Sequence, residues 1–134
     1  MADLAVTDSH ALIWAATGQL KRLGGRARRF YERVEQGHAA LYVPTIVLVE
    51  FGEALQAGDI SLGVPFADWV DVLLASGHYH PVDLTPEIVV RAQELFEIPE
   101  RGDRLIAATA LVLDVPLITR DPEIVGVAGV DHLW

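Results

Sequence analysis

Four carboxylates fall where acidic side chains can act together: Asp8, Glu50, Asp103 and Asp121. Asp8 follows the apolar residues 4–6 and precedes His10-Ala11-Leu12-Ile13-Trp14. Asp121 follows Pro116-Leu117-Ile118-Thr119 in the same way. Both therefore occupy corners where a short buried strand hands over to a helix, and ligand sites of open parallel sheets lie outside the carboxyl ends of their strands. Asp103 opens the helical stretch Arg104-Leu105-Ile106-Ala107-Ala108-Thr109-Ala110. Each of these three also has an ordinary use as a helix cap. Glu50 does not: on a helix its neighbours are Ile46, Val47 and Ala54, which puts its carboxylate along the apolar stripe. A carboxylate there must be paired, protonated or bound to metal, and an arginine is the ordinary partner. Glu53, one turn on, belongs at the solvent edge. Four carboxylates at one edge repel one another, and Mg²⁺ or Mn²⁺ is the natural counter-charge for oxygen ligands. Such a site suits phosphoryl chemistry, in which a metal orients phosphate, activates water and stabilises the leaving oxygen.

The elements that must position these acids alternate. Strands are expected over residues 4–6, 41–43, 79–82 (an edge strand), 115–119 and 130–133. Helices are expected over 10–16, 26–36, 45–56 (capped by Thr45), 64–76, 86–96 and 103–113, with one turn opening at Asp121-Pro122. The strands are short and continuously apolar, the pattern of a parallel sheet covered on both faces. No repeat or linker interrupts the 134 residues, which form a single domain, 1–134.

Composition narrows the function. Cysteine is absent, which removes disulfides, thiolate metal sites and a Cys nucleophile. No apolar run approaches the ~18 residues of a membrane span, and Met1-Ala2-Asp3-Leu4 lacks a basic leader region, so a cytoplasmic protein is expected. Ten Lys+Arg against nineteen Asp+Glu give a net charge of −9, which repels free nucleic acid at long range. Six of the ten bases, Lys21, Arg22, Arg26, Arg28, Arg29 and Arg33, fall in one stretch. They read either as an RNA-contacting patch or as a solvated helix face partnered by Glu32 and Glu35. A receiver domain needs a late lysine, whereas Lys21 is the only one. A haloacid-dehalogenase-like phosphatase needs an Asp where His10 stands. Ser9 and His10, adjacent in sequence, do not make a hydrolase triad. His78 and His80 read as loop histidines, His10 as packed, and the three tryptophans as core.

Asp8-Ser9-His10-Ala11-Leu12-Ile13-Trp14 resembles the opening motif of the PIN domains of VapC-type toxins, with Ser9 in place of the commoner Thr. Val47-Leu48-Val49-Glu50-Phe51 is similar to the second acidic motif, residues 103–110 to the third, and residues 116–121 to the fourth. The motifs keep family order and span nearly the whole chain. The resemblance implies a three-layer α/β/α sandwich around a central, mainly parallel sheet. It also implies a Mg²⁺- or Mn²⁺-dependent endoribonuclease, the toxin of a toxin–antitoxin pair. In that carry-over Asp8, Glu50 and Asp103 are the main metal carboxylates and Asp121 an auxiliary one. Ser9 and Thr119 hydrogen-bond water, a carboxylate or substrate. Apart from the resemblance, Arg104 and Arg120 each flank a candidate acid and either contact substrate phosphate or pair with the carboxylates when metal is absent. A homodimer and a cognate antitoxin covering an apolar groove and the acidic site are the implied partners. The chain departs from the family at Ile98-Pro99-Glu100-Arg101-Gly102-Asp103, where a histidine is lost, Glu100 can supply an extra acid and Gly102 is expected to loosen the loop. The alternative is a catalytically silent PIN-like module that binds a partner, its acids serving as caps and salt bridges.

Overall fold

A computed structural model describes residues 3–127 and 129–134. Met1 and Ala2, part of the segment inspected for a leader, lie outside the described residues. The chain runs β1 (Leu4–Thr7), α1 (Ser9–Ala16), a 3-10 turn (Leu20–Arg22), α2 (Gly25–Glu35), β2 (Ala40–Pro44), α3 (Thr45–Ala57) and α4 (Phe66–Ala75). It continues through β3 (Tyr79–Val82), α5 (Pro86–Gln93), α6 (Arg101–Leu113), β4 (Leu117–Ile118), α7 (Pro122–Val125) and β5 (His132–Leu133). The five strands form one sheet in the order β3-β2-β1-β4-β5, and every described pairing is parallel. Ala5, Val6, Thr7, Leu117 and Ile118 have no exposed surface, so the central strands are covered on both faces. This is the α/β/α sandwich, and burial on both sides explains why its strands read as unbroken apolar runs.

Chain order and spatial order part company between β1 and β4. The first three strands step outward on one side and the last two on the other. That switch point opens a crevice at the carboxyl ends of β1 and β4. The ladder pairs Val6 with Leu117 and Thr7 with Ile118, so the next residues, Asp8 and Thr119, come side by side. The Asp8 N–H donates to the Ile118 carbonyl at 3.1 Å and extends the ladder by one rung.

Several element boundaries differ from the sequence reading. β4 and β5 are two residues each, because Val115 and Val130 lie in the approaches to the sheet rather than in its ladders. α5 stops at Gln93, and Phe96 is 82% exposed beyond it. Thr45 is the first residue of α3 and makes no capping bond; Pro44 precedes it. α6 starts at Arg101, two residues before Asp103. The apolar α4 buries none of its residues fully; it lies on the outside, with Trp69 stacked 4.2 Å from Phe51 of α3.

Candidate active site

Asp8 caps α1: one carboxylate oxygen accepts from the Ala11 N–H at 2.9 Å. Its other partner is Thr119, whose buried hydroxyl bonds to the carboxylate. The same Thr119 oxygen accepts the Asp121 N–H at 3.1 Å. Thr119 therefore ties Asp8 to the start of the next corner. Asp121 caps α7, accepting from the Glu123 N–H at 2.9 Å. Capping and membership of the acidic edge are thus not alternatives; each aspartate does both.

Asp103 caps nothing. It stands in the first turn of α6, and its carboxyl is hydrogen-bonded to that of Asp121. Among the described residues Glu50 meets no arginine. Its Oε1 accepts from the Ser9 hydroxyl, and α3 lies against both α1 and α6. Gly102 explains how α6 comes so close: a Cβ there would sit 2.6 Å from Glu50 Oε2. Gly102 is therefore the place where α6 makes room for the Glu50 carboxylate, not a loosened loop.

These side chains line a cleft of about 390 Å³ together with His10, Glu100 and Glu123. Burial raises the Asp8 carboxyl above its ordinary range; bonds from Ala11 and Thr119 and the nearby His10 oppose this, and Asp121 adds repulsion. Asp103 is pushed up to about 7, first by burial, then by the charge and hydrogen bond of Asp121, then by Glu100 and Glu50. Such a rise is expected where carboxylates crowd together. Beneath the site, Tyr31 of α2 bonds to the Thr7 hydroxyl, and burial raises its phenol well above the usual range.

The other residues singled out from the sequence take different places. Ser9 is at the cleft, bonded to Glu50. Thr119 has no exposed surface and faces the acids. The Arg104 guanidinium donates to the carbonyls of Ile98 and Pro99 at 2.8 and 2.9 Å and braces the turn before α6. His10 is exposed at the cleft with its ring 5.9 Å from Trp14, rather than packed inside. The basic stretch does not form one face. Arg28 pairs with Glu32 and Arg33 with Asp3, Arg26 and Arg29 line a separate groove with His132, and Arg22 leans over Trp14. Glu123 escaped the sequence reading because it is an ordinary first-turn acid in sequence, and Gly102 reads there only as a loosened loop because it matters through a contact across helices.

The family model for the PIN domain matches residues 5–130, and the chain belongs to that family. Among solved structures it is similar to a chain of VapBC2 from Rickettsia felis bound to a promoter DNA fragment. That match has 14% identity and a TM-score of 0.70, over 96% of each chain. It is also similar to a chain of a Klebsiella pneumoniae toxin–antitoxin complex, with 22% identity and a TM-score of 0.61 over 94% of each. A third is DNA-bound VapBC from Salmonella typhimurium, with 16% identity and a TM-score of 0.63 over 98% of this chain and 97% of that one. No curated protein matches the sequence significantly. Among the described residues no helix is long and apolar enough to cross a membrane.

Proposed function

We propose that this PIN domain is a metal-dependent endoribonuclease, the VapC-type toxin of a toxin–antitoxin pair. The observation that carries the reading is the gathering of Asp8, Glu50, Asp103 and Asp121 from four elements at the β1/β4 crevice, where burial first and the neighbouring acids second raise Asp103 to about 7. A fold gains nothing in stability from crowding like charges, so such a cluster points to a cation.

The donor set suits Mg²⁺ or Mn²⁺ by type, since every ligand is a hard oxygen. Among the described residues no three His, Asp or Glu side chains converge on one point as they stand. Asp8, Glu50, Asp103 and Asp121 would hold the ion once Glu50 turns from Ser9 and Asp103 releases Asp121. A bound cation supplies an activated water and a counter-charge for the leaving oxygen. The chain's own groups do the rest. Thr119 and the Ala11 N–H fix the Asp8 carboxylate, Ser9 keeps Glu50 at the cleft until the ion draws it away, and Asp103 parts from Asp121 so that both carboxylates can face the ion. Hydrolysis then adds water across a P–O bond, leaving phosphate on one fragment and hydroxyl on the other.

The toxin reading also supplies partners. A groove of about 570 Å³, with Leu12, Leu20, Trp69 and Leu73 on its apolar side and Glu32 and Glu35 on its polar side, is the seat proposed for an antitoxin segment. A homodimer and a cytoplasmic location complete the proposal. The lack of three convergent ligands favours a second reading, a catalytically silent binding module.

One experiment separates them: purified, antitoxin-free protein is incubated with RNA in Mn²⁺, Mg²⁺ or EDTA, beside Asp8→Asn. Metal-dependent cleavage lost in the variant supports the nuclease. No cleavage and no metal binding would establish the silent module.

A further inference from the structure

A second cleft, of about 350 Å³, adjoins the acidic one and shares Asp8, His10 and Asp121 with it. Its walls are of opposite character. Trp14 is only 6% exposed and forms the floor. Trp134 meets it edge-on, with ring centroids 6.0 Å apart. The Arg22 guanidinium lies 4.4 Å from the Trp14 ring centre. Arg120 lies 4.9 Å from Trp14 and 5.7 Å from Trp134.

These arginines are held without being neutralised. Among the described residues neither forms an ion pair with a carboxylate, although the chain carries nineteen of them. A guanidinium against an indole face is restrained by the ring quadrupole, which leaves its N–H donors largely unspent. A relay of polar bonds adds to the restraint on Arg22: it donates to Gln19 Oε1 at 3.1 Å, Gln19 donates to Thr17 Oγ1 at 2.7 Å, and Thr17 donates to the Ile13 carbonyl at 2.7 Å. On the far side Gly24 admits Trp134, since a Cβ at residue 24 would sit 2.4 Å from the indole Cδ1. Two preorganised forks with open donors suit the oxygens of a phosphodiester. They also offset the repulsion that the adjoining acids exert on a polyanion.

We infer that the Trp14–Trp134 cleft is the substrate-positioning subsite, in which Arg22 and Arg120 grip a backbone phosphate of single-stranded RNA next to the one lying over the acids. The inference rests on the ribonuclease reading for the identity of the polyanion. Neither arginine is assigned a chemical step; both are positioning residues.

The test uses the Asp103→Asn protein in EDTA, with anisotropy of a fluorescein-labelled ten-nucleotide RNA read across a salt series. Arg22→Ala and Arg120→Ala should each raise Kd about fivefold. Each should also reduce the slope of log affinity against log salt by ~0.7, the value for one phosphate contact on a single strand. Arg26→Ala and Arg29→Ala, in the separate groove, should change neither. Unaltered Kd and slope in the first pair would overturn the subsite, as would absence of RNA binding by the parent protein. Displacement of the RNA by an equal concentration of hexaglutamate peptide would overturn the assignment to RNA. A parallel cleavage assay of the unsubstituted protein in Mn²⁺ keeps the two readings apart. Arginine-dependent binding without cleavage retains the subsite and removes the nuclease; cleavage with unchanged KM in Arg120→Ala does the reverse.

Discussion

Replacing Asp103 with Asn converts the crowding of acids into a measurable stability. The carboxyl is raised from 3.8 to about 7 in the folded protein. Below about pH 4 it is protonated whether folded or not, and it makes no difference to stability. Between about pH 4 and 7 the unfolded chain loses the proton and the folded one keeps it, so stability falls as pH rises. Above about pH 7 the whole penalty is present. Some three pH units correspond to ~4 kcal/mol at 1.36 kcal/mol per unit. The group is half-buried, and solvent screening reduces this to about 1–2 kcal/mol. Asn is neutral at every pH and retains a donor for Asp121. Asp103→Asn should therefore raise Tm by roughly 3–8 °C at pH 8 and hardly at all at pH 4. Saturating Mn²⁺ should reverse the order, stabilising the parent protein by ~2–3 kcal/mol at a hundred times Kd while leaving the variant little changed. Scanning calorimetry at the two pH values, with and without Mn²⁺, decides the matter. An equal Tm gain at pH 4 and pH 8 would refute the electrostatic argument, and equal stabilisation of both proteins by Mn²⁺ would refute the part given to Asp103.

Gly102→Ala should leave Tm unchanged or slightly higher, because Ala improves a helix by up to ~1 kcal/mol and the group it displaces is the mobile end of Glu50. Mn²⁺ affinity by calorimetric titration should nonetheless fall about tenfold; an unchanged affinity would detach Glu50 from the metal. Gly24→Ala confronts both the Trp134 ring and its backbone. It should cost ~1–3 kcal/mol in chemical denaturation and shift the tryptophan emission. Tyr79→Phe removes the hydroxyl that bonds to Glu35, and a loss of about 1 kcal/mol is expected in urea melts.

The sheet and its order of elements were legible because burial on both faces leaves uninterrupted apolar runs such as residues 4–6. The corners were legible because Asp8 and Asp121 carry the signature of helix caps, a local signal. Short strands and helix ends were less so. β4 needs only two residues to hold its ladder, and α5 ends before an exposed Phe96 that looks apolar in the sequence. Within the site, Glu50 drew notice as a charge on an apolar stripe, but its actual partner, Ser9, depends on how α3 crosses α1. Gly102 reads as a flexible residue until the neighbouring helix is known. The basic stretch divides for the same reason: beyond the 3-10 turn and a glycine pair, Arg28 keeps the solvated helix face with Glu32, whereas Arg22 leans over Trp14 and Arg26 lines another groove.

The pairing of β1 with β4 makes Asp8 and Thr119 neighbours although most of the chain separates them. A nascent polypeptide that has emerged only as far as α6 already carries Asp8, Glu50 and Asp103. It still lacks the strand that completes the crevice, the hydroxyl that steadies Asp8 and the Asp121 carboxyl that lies against Asp103. The acidic centre is therefore incomplete until β4 has been made and slots in beside β1. On the nuclease reading proposed above, a chain that has not yet added β4 is inert.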